Sequence, residues 1–142
     1  MKLNKYCEAR PSKIHGWGVF ALKDIKKGTD IIEYKGKKVS RKEGDKRATL
    51  QAKKNAIYVF NLNDKYDIDG SDNGNGAQFI NHSCSPNCET INYDDKEIWI
   101  TAIKNIKKGE ELAYDYGFDE EIDCLCNAKN CIGKFRTNHK NE

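Results

Sequence analysis

No strand-forming run in this chain is long, and that feature alone argues against one broad sheet. Runs rich in Ile, Val, Tyr and Trp occupy residues 18–22, 31–34, 57–62, 89–93, 97–103 and 111–114, separated by Gly, Asn and Asp. An internal echo sharpens the pattern. Ala21-Leu-Lys-Asp-Ile-Lys-Lys-Gly28 recurs as Ala102-Ile-Lys-Asn-Ile-Lys-Lys-Gly109. Two copies do not make a solenoid, which needs three or more repeats. Each copy reads as strand, tight turn, strand, with Lys-Lys-Gly as the turn and its glycine free to take positive φ. Residues 40–54 form the one plausible helix. Ser40 and Glu43 are spaced as a capping box, although Gly44 inside the helix costs about 1 kcal/mol relative to alanine. Asn73-Gly-Asn-Gly76 is a turn by composition. Nothing has the composition of a linker, so the 142 residues predict one compact α+β domain, mostly β.

Charged residues make up 33% of the chain and hydrophobic ones 37%, which is enough for a core but a thin one. The net charge of +3 hides an asymmetry. Basic residues dominate 35–54, while every charged residue in 110–123 is acidic. Both stretches suit solvated faces. They equally suit one face for a polyanion and another for a basic peptide. The start of the chain has no apolar signal-like core and no run approaches membrane-spanning length, so the sequence predicts an intracellular protein without membrane contact. In that setting the six cysteines are thiols or metal ligands rather than disulfides.

The polar tail needs something other than a core to order it. Cys124, Cys126 and Cys131 cluster there, and a structural zinc takes four ligands, so one more must come from elsewhere. Cys84, in Asn81-His-Ser-Cys-Ser-Pro-Asn87, is the leading candidate and Cys88 a minor rival. The alternative is a set of free thiols. Near the start, the glycines flanking Trp17 in His15-Gly-Trp-Gly18 leave the backbone open to a ligand, although a tight turn before a strand explains them too. Asn81 could read an adenine edge or cap a turn, and His82 taken alone is an ordinary core histidine. Tyr58, Tyr114 and Tyr116 each read individually as strand packing.

The order of these pieces says more than any one of them. His15-Gly-Trp-Gly, Glu33-Tyr-Lys-Gly36, Tyr58-Val-Phe, Phe79-Ile-Asn-His-Ser-Cys84-Ser-Pro-Asn87, Gly109-Glu-Glu-Leu-Ala-Tyr-Asp-Tyr-Gly117 and the cysteine tail follow one another. Together they resemble the SET-domain protein lysine methyltransferases with a post-SET zinc segment, over about residues 10–136. The resemblance implies a fold of small β-sheets whose C-terminal segment passes beneath a loop as a pseudoknot, a threading that patterning does not predict. It divides the chain into a SET domain, residues 1–118, and a post-SET segment, residues 119–142. It implies S-adenosylmethionine as methyl donor, with S-adenosylhomocysteine as product. His15, Trp17, Asn81 and His82 would bind that donor, and Tyr58 would border both donor and lysine channel. Tyr116 would be the principal catalytic tyrosine, and Tyr114 would set the number of methyls added, mainly one or two. Cys84, Cys124, Cys126 and Cys131 would hold zinc, and Leu125 and Phe135 would cover the donor. There is one departure: Gln78 stands where the family usually has Arg, and it lacks both the charge and the five donors of a guanidinium.

The implied chemistry is displacement at a methyl carbon by a lysine amine. With a pKa near 10.4, only about one lysine in 2,500 is neutral at pH 7. A dry, tyrosine-walled channel beside a positive sulfonium favours the neutral form through desolvation and like charge. The acidic stretch suits a basic substrate such as a histone tail or another lysine-rich protein. That places the protein at chromatin if its setting is eukaryotic and in the cytoplasm if bacterial. Two rival readings remain: a SET-like binding module that turns over poorly, motivated by Gln78, and a zinc-stapled nucleic-acid binder using residues 35–54. The second is disfavoured because that stretch lacks interleaved aromatics except Tyr34.

Overall fold

The computed structural model describes residues 1–13, 16–54 and 56–116, together with the backbone of 122–123 and 134–135. In chain order the elements are β1 (Cys7–Pro11), β2 (Trp17–Ala21), β3 (Asp30–Glu33), β4 (Lys37–Ser40), α1 (Arg41–Ala52), β5 (Val59–Asn61) and β6 (Tyr66–Asp69). A 3-10 turn (Ala77–Phe79) follows, then β7 (Asn81–His82), β8 (Cys88–Tyr93), β9 (Glu97–Ala102), β10 (Ala113–Tyr114), β11 (Ile122–Asp123) and β12 (Lys134–Phe135). They form small sheets, as the short runs require: β1-β2, β3-β9-β8, β4-β6-β5, β11-β12, and a parallel pair of β7 with β10. That last pair joins the Asn81-His82 segment to Tyr114. The core runs between the sheets through Val19, Ile31, Ile80, Ile98, Ile100, Ile106 and Leu112, all essentially inaccessible to solvent. Each such side chain contributes roughly 1.5–3 kcal/mol by leaving water.

The echo forms a staple. Its two copies face each other with near-dyad symmetry through an antiparallel bridge between Ile25 and Ile106. The Ile25 amide donates to the Ile106 carbonyl at 2.7 Å, and the Ile106 amide donates back at 2.8 Å. Gly28 N–H reaches Ala102 O and Gly109 N–H reaches Ala21 O, both at 2.8 Å. The side chains repeat the symmetry: Lys27 N–H donates to Asn105 Oδ1 and Lys108 N–H to Asp24 Oδ1, each at 2.9 Å. Both turn glycines sit at φ +91°, the positive region expected of them.

The helix begins where expected, with Ser40 Oγ accepting the Glu43 amide at 3.1 Å. The Glu43 carboxylate takes Arg47 Nε at 2.8 Å, an i,i+4 ion pair. Gly44, an apparent liability in the sequence, is the only buried residue of α1. A Cβ added there would lie 2.7 Å from Asp67 Cγ, so the helix could not approach β6 with any larger residue. Strands β1, β4 and β6 were not marked in the sequence: Cys-Glu-Ala-Arg-Pro and Tyr-Asp-Ile-Asp alternate apolar with polar residues, but over only five and four positions and with Glu, Arg, Pro and Asp, which are depleted in strands or interrupt them. Cys7 and Cys88 are buried, and burial pushes their thiols up to about 11 and about 12. Such thiols resist becoming thiolates while no metal is bound to them.

Candidate active site

Pairing of β7 with β10 places Asn81 beside Ala113 and His82 beside Tyr114. Tyr116 follows two residues later and packs back on the pair. Its ring lies 4.8 Å from Tyr114 and meets His82 edge-on at 5.3 Å. The Tyr116 hydroxyl donates to the Ile80 carbonyl, and its amide donates to His82 Nδ1 at 3.0 Å. Because Nδ1 accepts that bond, the neutral ring carries its proton on Nε2, which points at Cys84 Sγ 3.2 Å away. His82 is buried and links the Tyr116 backbone to the Cys84 sulfur.

The remaining aromatic residues complete a wall. Phe60 lies 6.4 Å from Tyr114 and 5.4 Å from Tyr34. The Tyr34 hydroxyl donates to the Tyr58 carbonyl at 2.6 Å and so holds Tyr58 in place. Burial, then the nearby Tyr114, Tyr58 and Glu111, pushes the Tyr116 hydroxyl well above the ordinary phenol range. Tyr34 is raised in the same way, first by burial and then by Tyr114, Tyr116, Asp69 and Tyr58. Tyr114 and Tyr58 are raised by burial as well. These phenols stay protonated at neutral pH, so they donate hydrogen bonds and none serves as a general base.

On the other side of β7 lies an open cradle. Gly16 takes φ +46°, and among the described residues nothing comes within 4 Å of where its Cβ would be. Trp17 beside it is 49% exposed, its ring 6.3 Å from Phe79. Asn81 Nδ2 donates to the Trp17 carbonyl at 3.0 Å and to Glu111 Oε2 at 2.9 Å. The Asn81 amide nitrogen therefore fixes the cradle's backbone. Glu111 also accepts Ser12 Oγ at 2.9 Å, which ties the loop before β2 to β7. Glu111 was not singled out in the sequence. It looked like one charge in an acidic run, and only its packing against Gly18, Ser12 and Asn81 reveals its role. Tyr34 was likewise hidden among strand residues.

The structure thus brings together Trp17, Tyr58, Asn81, His82, Cys84, Tyr114 and Tyr116. His15, Cys124, Leu125, Cys126 and Cys131 lie outside the described residues, and Phe135 is described only through its backbone pairing with Ile122. Among the described residues no cluster of three or more potential metal ligands occurs. Gln78 Oε1 accepts the Gly76 amide at 2.8 Å, so the residue at the departure from the family pattern holds the turn before the 3-10 segment.

A family profile described as the SET domain matches residues 16–117. The chain is 41% identical over 129 residues to histone-lysine N-methyltransferase 2D of Homo sapiens, covering 84% of this chain and 2% of that protein. It is 40% identical over 130 residues to histone-lysine N-methyltransferase set-2 of Caenorhabditis elegans, covering 86% of this chain and 9% of that one. Against the H3 lysine-4 specific histone-lysine N-methyltransferase of Schizosaccharomyces pombe it is 40% identical over 131 residues, covering 87% and 14%. The chain spans only a small part of these relatives' length. Among the described residues no helix is long and apolar enough to cross a membrane.

Proposed function

The chain belongs to the SET-domain family, and on that premise we propose that it transfers methyl groups from S-adenosylmethionine to lysine side chains of basic proteins, histone tails first among them. The observation that supports this reading is the cluster of Tyr58, Tyr114 and Tyr116 beside the β7–β10 pair, whose Asn81 also holds the Trp17 backbone next to the open Gly16. Lysine 4 of histone H3, named for the Schizosaccharomyces pombe relative, is the first target to test. A histone substrate would place the protein at chromatin.

The residues at hand fit the methyl donor. Gly16 leaves room against the backbone, and Trp17 offers a half-exposed aromatic face for a nucleoside. When bound, the donor supplies an electrophilic methyl on a sulfonium. Asn81 and Glu111 hold the cradle that receives it. Tyr58, Tyr114 and Tyr116 exclude water from the lysine side, which favours the neutral amine, and their faces grip its alkyl stem. The Tyr116 hydroxyl and the Ile80 carbonyl orient the nitrogen and the positive charge that develops on it. The amine proton leaves to solvent before attack, since the buried phenols cannot accept it. Tyr114, buried against Tyr116, narrows the space around the nitrogen and favours mono- and dimethylation.

The zinc reading also belongs here. Cys84 Sγ receives an N–H from His82, which suits a thiolate, since hydrogen bonds to a metal ligand orient it and tune its basicity. With Cys124, Cys126 and Cys131 it would hold zinc, which would order residues 119–142 as a post-SET segment with Leu125 and Phe135 over the donor.

The test is incubation with methyl-labelled donor and histone H3, other histones and unrelated basic proteins. Label on lysine, located by mass spectrometry, is the expected result. Donor binding without transfer to any substrate would leave only a binding module, and steeply salt-dependent association with DNA or RNA would favour the nucleic-acid reading.

A further inference from the structure

Helix α1 has no apolar seam. Leu50, its one large aliphatic residue, is 54% exposed, and only Gly44 is buried. Polar side chains fasten it instead. Asp69 on β6, only 2% exposed, receives Arg47 Nη1 at 3.0 Å, Gln51 Nε2 at 3.1 Å, the Ser71 amide at 2.9 Å and the Ser71 hydroxyl at 2.6 Å. Gln51 Nε2 also donates to Ser71 Oγ at 3.2 Å. Its other end reaches away from this cluster, where Gln51 Oε1 accepts the Tyr58 amide at 2.8 Å. The Tyr58 carbonyl is held from the opposite side by Tyr34 Oη and by the Gly70 amide at 3.0 Å. A buried carboxylate thus fixes one end of a glutamine, and that glutamine fixes the backbone of an active-site tyrosine.

We propose that Gln51 is a positioning residue, held by Asp69 and Ser71, that sets Tyr58 at the edge of the lysine channel and so couples the seating of α1 to methyl transfer. The inference rests on the lysine methyltransferase reading for its catalytic consequence, but its structural half stands alone. Gln51→Met keeps the size and removes both hydrogen-bonding ends. Gln51→Glu keeps an acceptor for Tyr58 but, when ionised, faces Asp69 without a proton to donate. Protonation restores a donor.

Amide exchange at Tyr58, followed by NMR, should quicken about tenfold in Gln51→Met, the effect of losing one hydrogen bond. In the histone assay kcat should fall about tenfold. The loss should shrink when Tyr58→Phe is already present, because both changes act through one side chain. Gln51→Glu should be impaired while ionised, because its carboxylate then faces that of Asp69, and should recover relative to the parent as pH is lowered. If Tyr58 exchange is unchanged in both variants, the proposal fails whether or not the protein is an enzyme. If exchange quickens but kcat holds, or the two mutations add, Gln51 merely anchors the helix and the positioning role is overturned. A parent without methyltransferase activity but with quickened exchange in the variants sinks the catalytic half through the enzyme reading, not through the clasp.

Discussion

Tyr116→Phe is the sharpest test of the site, because the structure separates what the hydroxyl does from what the ring does. The ring's contacts with Tyr114 at 4.8 Å and His82 at 5.3 Å survive the change, as does the amide bond to His82 Nδ1. The hydroxyl's bond to the Ile80 carbonyl is lost. Leaving a buried acceptor without that partner costs about 1–3 kcal/mol. Where the cost falls decides the outcome. If the hydroxyl orients the attacking amine, most of it appears in the barrier, and kcat drops between roughly 5- and 150-fold. The residual ground-state share should lower Tm by only a few degrees, given roughly 2–8 °C per kcal/mol for domains near this size. The cradle of Gly16, Trp17 and Asn81 is untouched, so if it is the donor site as proposed, donor affinity by calorimetry should stay within about twofold, a difference of less than 0.5 kcal/mol. Single-turnover transfer to an H3 peptide, with circular-dichroism melting alongside, measures both quantities. A folded variant with near-parental kcat would remove Tyr116 from the mechanism.

Tyr114→Phe should shift products toward higher methylation in intact-mass spectra, and an unchanged distribution counts against Tyr114 as the determinant of methyl number. Stripping metal with a strong chelator should release zinc, measurable by a colorimetric dye, and make the tail more open to protease. A tail that stays protected at zero bound metal refutes the zinc reading. Gly44→Ala should destabilise by about 1–3 kcal/mol in urea titrations, since overpacking against Asp67 outweighs the usual helix gain of about 1 kcal/mol. A stabilised variant would mean that helix and sheet are not in close contact. Stability should also fall at both pH extremes. Asp69, raised by burial but held lower overall by Ser71, Arg47 and Gln51, contributes stability above its unfolded pKa near 3.9 that is lost as pH falls through its folded value. Tyr34, Tyr114 and Tyr116, all raised by burial, contribute stability below the unfolded phenol pKa near 10 that is lost as pH climbs past it. Urea midpoints across pH 3–11 should trace this dome, and Asp69→Asn should flatten its acid side.

The sequence made the small sheets legible because strand length and turn chemistry are local properties. It predicted the helix start at Ser40 and the Lys-Lys-Gly turns for the same reason. Local reasoning failed where a residue's meaning depended on a partner far along the chain. Gly44 read as a flaw until β6 supplied the aspartate it must clear. Asp67 and Asp69 carry no strand signal, since aspartate is depleted in strands, yet both are buried in β6 as anchors for α1: Arg41 pairs with Asp67 at 3.1 Å and Arg47 with Asp69 at 3.0 Å. The three tyrosines were individually indistinguishable from packing residues. Only the order of motifs along the whole chain, compared with a known family, singled them out.

The echo explains why the site had to be read jointly. Beyond the bridge between Ile25 and Ile106, the chain continues outward in register: Ala21 N–H donates to Glu110 O at 2.9 Å, Phe20 bridges Glu111, and Leu112 N–H donates to Val19 O at 2.7 Å. Glu111 is thereby set beside β2 with its carboxylate on Ser12 and Asn81, and Ala113 and Tyr114 proceed into the pairing with β7. One staple therefore fixes both the strand that begins at Trp17 and the strand that leads to Tyr114 and Tyr116. The two halves of the site lie far apart in sequence, and neither has a local signal for the other. A shift of one residue in the staple would turn Glu111 away from Asn81 and exchange the faces of Ala113 and Tyr114. The paired glycine turns and the reciprocal Ile25–Ile106 bonds oppose such a slip. Removing one of these turns should accordingly disturb the cradle and the tyrosine wall together, although it touches neither.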